Sequence, residues 1–216
     1  MSDLVLYSYW RSSCSYRVRI ALEYKELDYE YRGVHLVRDG GEQHKEAFRK
    51  LNPLGQVPYL EHGDKGLAQS LAIMAYLDDT FPQKALFPTD SYQRAQVLQL
   101  CGMINALQPL QNLNTFQELE RRHGLDGPGK AEWARHWIGK AFTAYETELQ
   151  QSAGTYCFGD QVSAADCFLV PQVYNANRFK LDMAPFPHIT RINETLLAQD
   201  FVKRAEPSAQ PDAVPA

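Results

Sequence analysis

No apolar run in the 216-residue chain approaches the length of a bilayer span, so helical insertion into a membrane is not expected. Basic residues are not in excess either. The 22 Lys and Arg stand against 26 Asp and Glu, a net charge of −4. A general nucleic-acid binder would carry a basic stripe, so that class is set aside. Cysteine is sparse, with Cys14, Cys101, Cys157 and Cys167 showing no C-x-x-C and no paired histidine spacing. A structural zinc site, or any metal site, is therefore not expected. Met-Ser-Asp-Leu-Val lacks the basic and then apolar segments of a secretory signal. The expected compartment is the cytoplasm, where the thiols stay free. There are no internal repeats.

What is present is an ordinary soluble composition, 44% apolar and 22% charged, in a chain long enough for two domains. Leu4-Val5-Leu6-Tyr7 has strand length, and from Ser12 the spacing of Val18, Ala21 and Leu22 is helical. Leu27 to Val34 alternates as a second strand, which predicts a βαβ unit with parallel pairing. Arg38 to Gly41 is a turn, and Glu42 to Leu51 a short polar helix ended by Asn52-Pro53-Leu54-Gly55. Gln56 to Leu60 is a short strand whose Pro58 suits a strand start or an edge, and its peptide bond is either trans or cis. His62-Gly63-Asp64 turns the chain into a returning strand at Gly66 to Ala68. Ser70 then caps a helix that Phe81-Pro82 ends.

The order through Pro82 is β-α-β-α-β-β-α, a small mixed sheet flanked by helices. Residues 1–82 form this domain, 83–88 a linker, and 89–216 an all-helical domain. In the latter, Val97, Cys101 and Ile104 mark a stripe running into Gln108 and Gln111, with Pro109 expected to kink or stop it. Ile138, Phe142, Tyr145 and Leu149 mark another helix, and Ser163-Ala164-Ala165-Asp166 resembles a capping box. The tail from Glu206 reads as loose.

The stretch Ser12-Ser13-Cys14-Ser15-Tyr16-Arg17 carries the chemistry. A polar turn that opens a helix presents backbone N–H groups without partners and the positive end of the helix dipole. A negative charge is favoured there, whether a thiolate of Cys14 or of a bound ligand. On its own, the stretch is equally a serine-capped helix with a small buried cysteine.

The ordered set of motifs resembles the zeta-class glutathione transferases. It comprises Ser12-Ser13-Cys14-Ser15-Tyr16-Arg17-Val18-Arg19-Ile20-Ala21-Leu22, with Tyr16 where many members carry Trp, then Leu51-Asn52-Pro53, Gln56-Val57-Pro58 and Gln69-Ser70-Leu71-Ala72-Ile73. Gln108-Pro109-Leu110-Gln111-Asn112-Leu113, Val170-Pro171-Gln172-Val173, Ala176 to Asp182 and Gln210-Pro211-Asp212 extend it over essentially the whole chain. The implied fold is a thioredoxin-like α/β domain followed by an all-α domain, and the implied cofactor is glutathione.

The resemblance implies glutathione contacts at Ser12, Ser13, Cys14, Ser15, Tyr16 and Arg17, and at Gln43, Val57, Gln69 and Ser70. Gln108, Asn112, Leu113 and Asn114 complete the implied set. Gln69 and Ser70 would take the γ-glutamyl carboxylate, the Val57 main chain the cysteinyl amides (which requires cis Pro58), and Gln43 the glycyl end. The implied reaction is cis–trans isomerisation of an enone dicarboxylate, maleylacetoacetate to fumarylacetoacetate. A thiolate adding to the double bond makes it single, permits rotation, and on elimination leaves the trans isomer. Ser12, Cys14 and Arg178 are the implied catalytic residues, with Ser12 steadying the thiolate. Arg11, Arg17 and Arg178 are candidates for the substrate carboxylates, and Arg17 is alternatively structural.

Rival readings are a maleylpyruvate isomerase, a transferase or dehalogenase of small α-halo acids, and a non-catalytic binding module. Gln108, Leu113, Asn114 and Cys14 favour maleylacetoacetate over maleylpyruvate, and the intact serine-cysteine turn speaks against a mere scaffold. A homodimer is implied by the family.

Overall fold

The computed structural model describes residues 3–214. The chain divides into two compact units, one running to Phe87 and resuming at Leu197, the other Pro88–Leu196.

In the first unit, β1 (Leu4–Ser8) leads into α1 (Ser13–Tyr24) and returns as β2 (Glu30–Gly33). Two single 3-10 turns and α2 (Glu46–Leu51) precede the hairpin of β3 (Tyr59–His62) and β4 (Lys65–Ala68), and α3 (Ser70–Thr80) follows. The sheet order is β2-β1-β3-β4, with β1 parallel to β2 and antiparallel to β3. The predicted βαβ unit and hairpin are both present. The helix expected over Glu42 to Leu51 is shorter, because residues 42–44 form a separate 3-10 turn.

Alternation along β1 feeds two cores. Leu4 and Leu6 pack with Val18 and Leu22 of α1 and with Ile73 and Leu77 of α3. On the other face, Tyr7 packs against a smaller cluster of Val34, Phe48 and Val57. Each fully buried Leu or Ile side chain contributes about 1.5–3 kcal/mol through removal of apolar surface from water.

The second unit is helical: α4 (Ser91–Gln111), α5 (Leu113–His123), α6 (Gly127–Ser152), α7 (Ala164–Arg178) and most of α8 (Pro187–Leu197). Helix α4 packs on both α6 and α7. The stripe of Ile138, Phe142, Tyr145 and Leu149 is fully buried, as its spacing predicts. Pro109 does not stop α4, which runs on to Gln111. It lies in the last turn, where its missing N–H removes only one ladder bond before the helix ends anyway. Gln111, at the polar end of the α4 stripe, is buried in a reciprocal amide pair with Gln172 of α7, at 2.5 and 3.3 Å.

Residues beyond Leu197, expected with the helical domain, pack on the first unit. Helix α9 (Asp200–Ala205) lies against α1. The described tail residues from Glu206 are held by hydrogen bonds, contrary to the loose tail their composition suggests. The Gln210 amide closes it by donating to the carbonyls of Arg204 and Glu206, at 3.0 and 2.9 Å. Residues 83–87 are likewise fixed to the first unit. Lys25 Nζ donates to Asp78 Oδ1 and to the carbonyls of Gln83 and Lys84, while Asp78 accepts from the amides of Leu86 and Phe87.

Candidate functional site

The sheet register gathers the predicted residues of the first unit. Tyr7 of β1 is opposite Tyr59 of β3, and Tyr59 is opposite Ala68 of β4. Antiparallel pairing therefore sets three chain segments at one end of the sheet. They are the turn after Ser8 that carries Ser12 to Cys14, the approach to Tyr59 that carries Val57, and the exit from Ala68 that carries Gln69 and Ser70. The parallel strand β2 ends beside Ser8 and sends the loop holding Gln43 from the same end. The Val57–Pro58 peptide bond is cis.

Ser12 is the N-cap of α1, with extended backbone and an Oγ that accepts the Ser15 amide at 3.2 Å. An oxygen used as a cap keeps its own O–H proton for another acceptor. Ser13 and Ser15 are buried, and Cys14 is half-buried with its thiol free. Ser15 Oγ is buried without a hydrogen-bond partner. Tyr16 is buried.

Arg17 is 0% exposed and donates from Nη1 to Ser70 Oγ at 3.3 Å. The starts of α1 and α3 are thereby tied by one buried guanidinium. Ser70 is the first helical residue of α3 rather than its cap. The cap is Gln69, whose φ of 73° and ψ of 113° lie where non-glycine residues rarely sit. Its side chain makes no capping bond and is exposed. Such a backbone persists only where its surroundings impose it, and it costs about 1–3 kcal/mol.

Gln43 is only 4% exposed, unlike the surface side chain its polar surroundings suggest. Its Nε2 donates to the Leu36 carbonyl at 3.1 Å, while Oε1 is buried with no partner. Gly41 at φ 97° makes the space, since a Cβ there would fall 2.5 Å from the Gln43 amide. His35 and Glu42 pin this loop. Glu42 Oε2 accepts the His35 amide, and His35 Nδ1 accepts those of Val37 and Arg38.

Arg11 is exposed and stacks its guanidinium 4.4 Å from the Trp10 ring centroid. In the second unit, Arg178 is exposed at the end of α7, over the Phe179 ring at 4.8 Å. Asn112 caps α5 by accepting the Thr115 amide at 2.8 Å. Gln108 and Leu113 are half-buried and Asn114 is exposed. Among the described residues there is no His, Cys, Asp and Glu group able to hold a metal ion. No helix among them is long and apolar enough to cross a membrane.

A family profile described as glutathione S-transferase, N-terminal domain, matches residues 2–79, and its C-terminal counterpart matches residues 129–200. Maleylacetoacetate isomerase of Dictyostelium discoideum is 48% identical over 212 residues, covering 98% of this chain and 96% of the relative. The chain belongs to the zeta-class glutathione transferase and maleylacetoacetate isomerase family. Within this family, a holo structure of maleyl pyruvate isomerase, a bacterial zeta-class glutathione S-transferase, matches with a TM-score of 0.94 and 39% identity. It covers 97% of this chain and 100% of that one. Maleylacetoacetate isomerase of Methylobacterium extorquens AM1, solved with malonate and glutathione, matches with a TM-score of 0.92 and 38% identity over 98% of this chain and 100% of that one.

Two residues that hold the turn ahead of Ser12 were quoted in the sequence motifs but given no role there, Arg19 and Asp212. Arg19 is 0% exposed and donates to the carbonyls of Ala205, Tyr9 and Trp10 and to Ser8 Oγ. Burial lowers its pKa, yet all its partners are acceptors suited to a cation. The available signal was an arginine inside the apolar run Val18 to Leu22, where a charge needs a structural reason.

Proposed function

We propose that the chain is a glutathione-dependent cis–trans isomerase of small enone diacids, acting on maleylacetoacetate to give fumarylacetoacetate. One observation carries the reading: two helix starts at one end of the sheet, coupled through buried Arg17 and Ser70. Both favour anions, and an anionic tripeptide has a thiolate at one point and a carboxylate at another. The unpartnered buried oxygens of Gln43 and Ser15 fit the same ligand, since its amides and ammonium can serve them.

Bound glutathione supplies a thiolate that adds reversibly to the substrate double bond and leaves unchanged. The residues of the chain hold it ready. Ser12 offers its free O–H proton, and with the first amides of α1 it keeps the sulfur anionic at neutral pH. Ser13, Cys14, Ser15 and Tyr16 shape the turn, and Cys14 modulates it. Gln69 and Ser70 take the γ-glutamyl carboxylate, with Arg17 fixing Ser70. The Val57 main chain takes the cysteinyl amides and Gln43 the glycyl end. Since Arg17 is buried, Arg11 and Arg178 are the cations assigned to the substrate carboxylates, Arg178 foremost. Gln108, Asn112, Leu113 and Asn114 are assigned ligand contacts on family resemblance. The same reading includes a cytoplasmic homodimer in aromatic amino-acid catabolism. The exposed Leu54 and Tyr92, at 64% and 72%, are surfaces for a second copy to cover.

The test is turnover of maleylacetoacetate and maleylpyruvate by the purified chain, with and without glutathione. Strict glutathione dependence and preference for maleylacetoacetate are expected, and turnover at full rate without glutathione overturns the reading. The likeness to a maleyl pyruvate isomerase structure favours maleylpyruvate as the second reading, which the opposite preference would support. Transfer to α-halo acids without isomerisation would favour a detoxifying transferase.

A further inference from the structure

The turn ahead of Ser12 is held from outside its own helix. Ser12 N donates to the Tyr9 carbonyl at 2.9 Å, closing the turn. Arg19 then takes the Tyr9 carbonyl at 3.4 Å and the Trp10 carbonyl at 3.0 Å, while its Nε takes Ala205 O of α9 at 3.0 Å. One buried guanidinium therefore joins the turn to the C-terminal segment. The Trp10 amide points the other way and donates to Asp212 Oδ2 at 3.1 Å.

Asp212 is itself placed. Its Oδ1 accepts the Tyr31 hydroxyl at 2.5 Å. Its Cβ lies against Gly33 at the end of β2, where an added Cβ would approach to 3.4 Å. Burial first, and the Asp212 hydrogen bond second, push the Tyr31 phenol above its ordinary pKa, so it stays a donor. Upstream, the Gln210 amide ties the tail to the end of α9.

We propose that Asp212 is a positioning residue for the thiolate turn: the segment after α9 packs with the first unit and fixes the Trp10 amide, and with Arg19 it sets the backbone from Tyr9 to Ser12. The hydrogen bonds of Asp212 go to the Trp10 amide and the Tyr31 hydroxyl. It acts through Trp10, two residues from the Ser12 cap. The consequence for the thiolate rests on the glutathione reading above, whereas the grip on the turn does not.

Asp212→Ala, Asp212→Asn and Tyr31→Phe in the full chain test it with two readouts. In amide hydrogen exchange of peptides covering residues 9–16, Asp212→Ala speeds exchange about tenfold or more, the size expected from losing a hydrogen bond to a charged group. Exchange in α7 stays unchanged. Asp212→Asn keeps a carbonyl oxygen for the Trp10 amide and stays near wild type, and Tyr31→Phe falls between. In ultraviolet titration of the thiol of bound glutathione, Asp212→Ala raises the midpoint by about half a pH unit or more. Its calorimetric Kd stays within about threefold of wild type.

Unchanged exchange over residues 9–16 in both Asp212→Ala and Tyr31→Phe overturns the proposal. So does faster exchange with an unmoved thiol midpoint, which leaves the tail a structural strap only. Should Asp212→Ala fail to fold, Tyr31→Phe decides by the same two readouts. If the wild-type chain binds no glutathione, the functional reading falls, and hydrogen exchange alone decides whether Asp212 holds the turn.

Discussion

In the first unit the most deeply buried charges around the site are the cations of Arg17 and Arg19; Arg17 donates to the Ser70 hydroxyl, and Arg19 to backbone carbonyls and the Ser8 hydroxyl. In the second unit they are the carboxylates of Asp166 and Glu146, and their partners are largely backbone amides. Asp166 accepts the amides of Cys157 and Ser163 and the Ser163 hydroxyl, so the predicted cap at the start of α7 is present. Glu146 accepts the amides of His188 and Ile189 at the start of α8. A buried carboxylate at a helix start answers the unpaired N–H groups that every helix has there. A buried guanidinium has no such routine duty. Arg19 instead collects the carbonyls of a turn that must hold a special shape, and Arg17 holds a hydroxyl at the start of α3. The difference separates charge buried to begin helices from charge buried to shape a site.

The largest effect that tests this contrast is expected from Arg19→Met. It removes the guanidinium donors from three carbonyls, of which Tyr9 keeps only the Ser12 amide, and breaking such a buried network costs about 3–5 kcal/mol. Urea denaturation followed by circular dichroism measures it, and a loss below about 1 kcal/mol would mean the guanidinium is dispensable. Asp166→Ala follows, at about 2–4 kcal/mol from three lost hydrogen bonds. Here the glutathione affinity of the folded fraction should stay at wild type. A weakened affinity would erase the distinction between the units.

Ser12→Ala comes third and separates the two duties of one side chain. Loss of the cap costs about 1 kcal/mol of stability. Loss of the hydroxyl donor lowers turnover about 100-fold, as expected for one donor to a developing anion. Unchanged turnover would remove Ser12 from its catalytic role, and complete inactivity of Cys14→Ala would transfer that role to Cys14.

The smallest effect is on the surface. Glu118 of α5 pairs with Arg121 and Arg122, whose hydrogen bonds pull its carboxyl down to about 2. The folded value lies below the unfolded one near 4.3, so this support is present above about pH 4 and is lost as pH falls toward 2. Hydrogen exchange in α5 should rise over that window, and salt should mute the change because the pair is exposed.

The sequence by itself determined the local elements, because hydrophobic spacing and turn chemistry act within a few residues. The strand, turn and helix from Leu4 to Leu22, the hairpin around Gly63 and the Ser163 cap are all where their residues put them. The turn serines, Gln69 and Ser70 were legible as candidates for the same reason. Helix α5 went unread although Leu113, Phe116 and Leu119 recur at helical spacing in it, and Pro109 was judged without knowing how close the helix end lay. Only tertiary structure decided what joins distant segments. It placed Arg17 on Ser70, buried Gln43 behind Gly41, and brought Asp212 back to Trp10 across 202 positions. Composition cannot foresee such contacts, since a proline-rich tail is loose or fixed according to whether a buried partner waits for it, and that partner exists only once the sheet has formed.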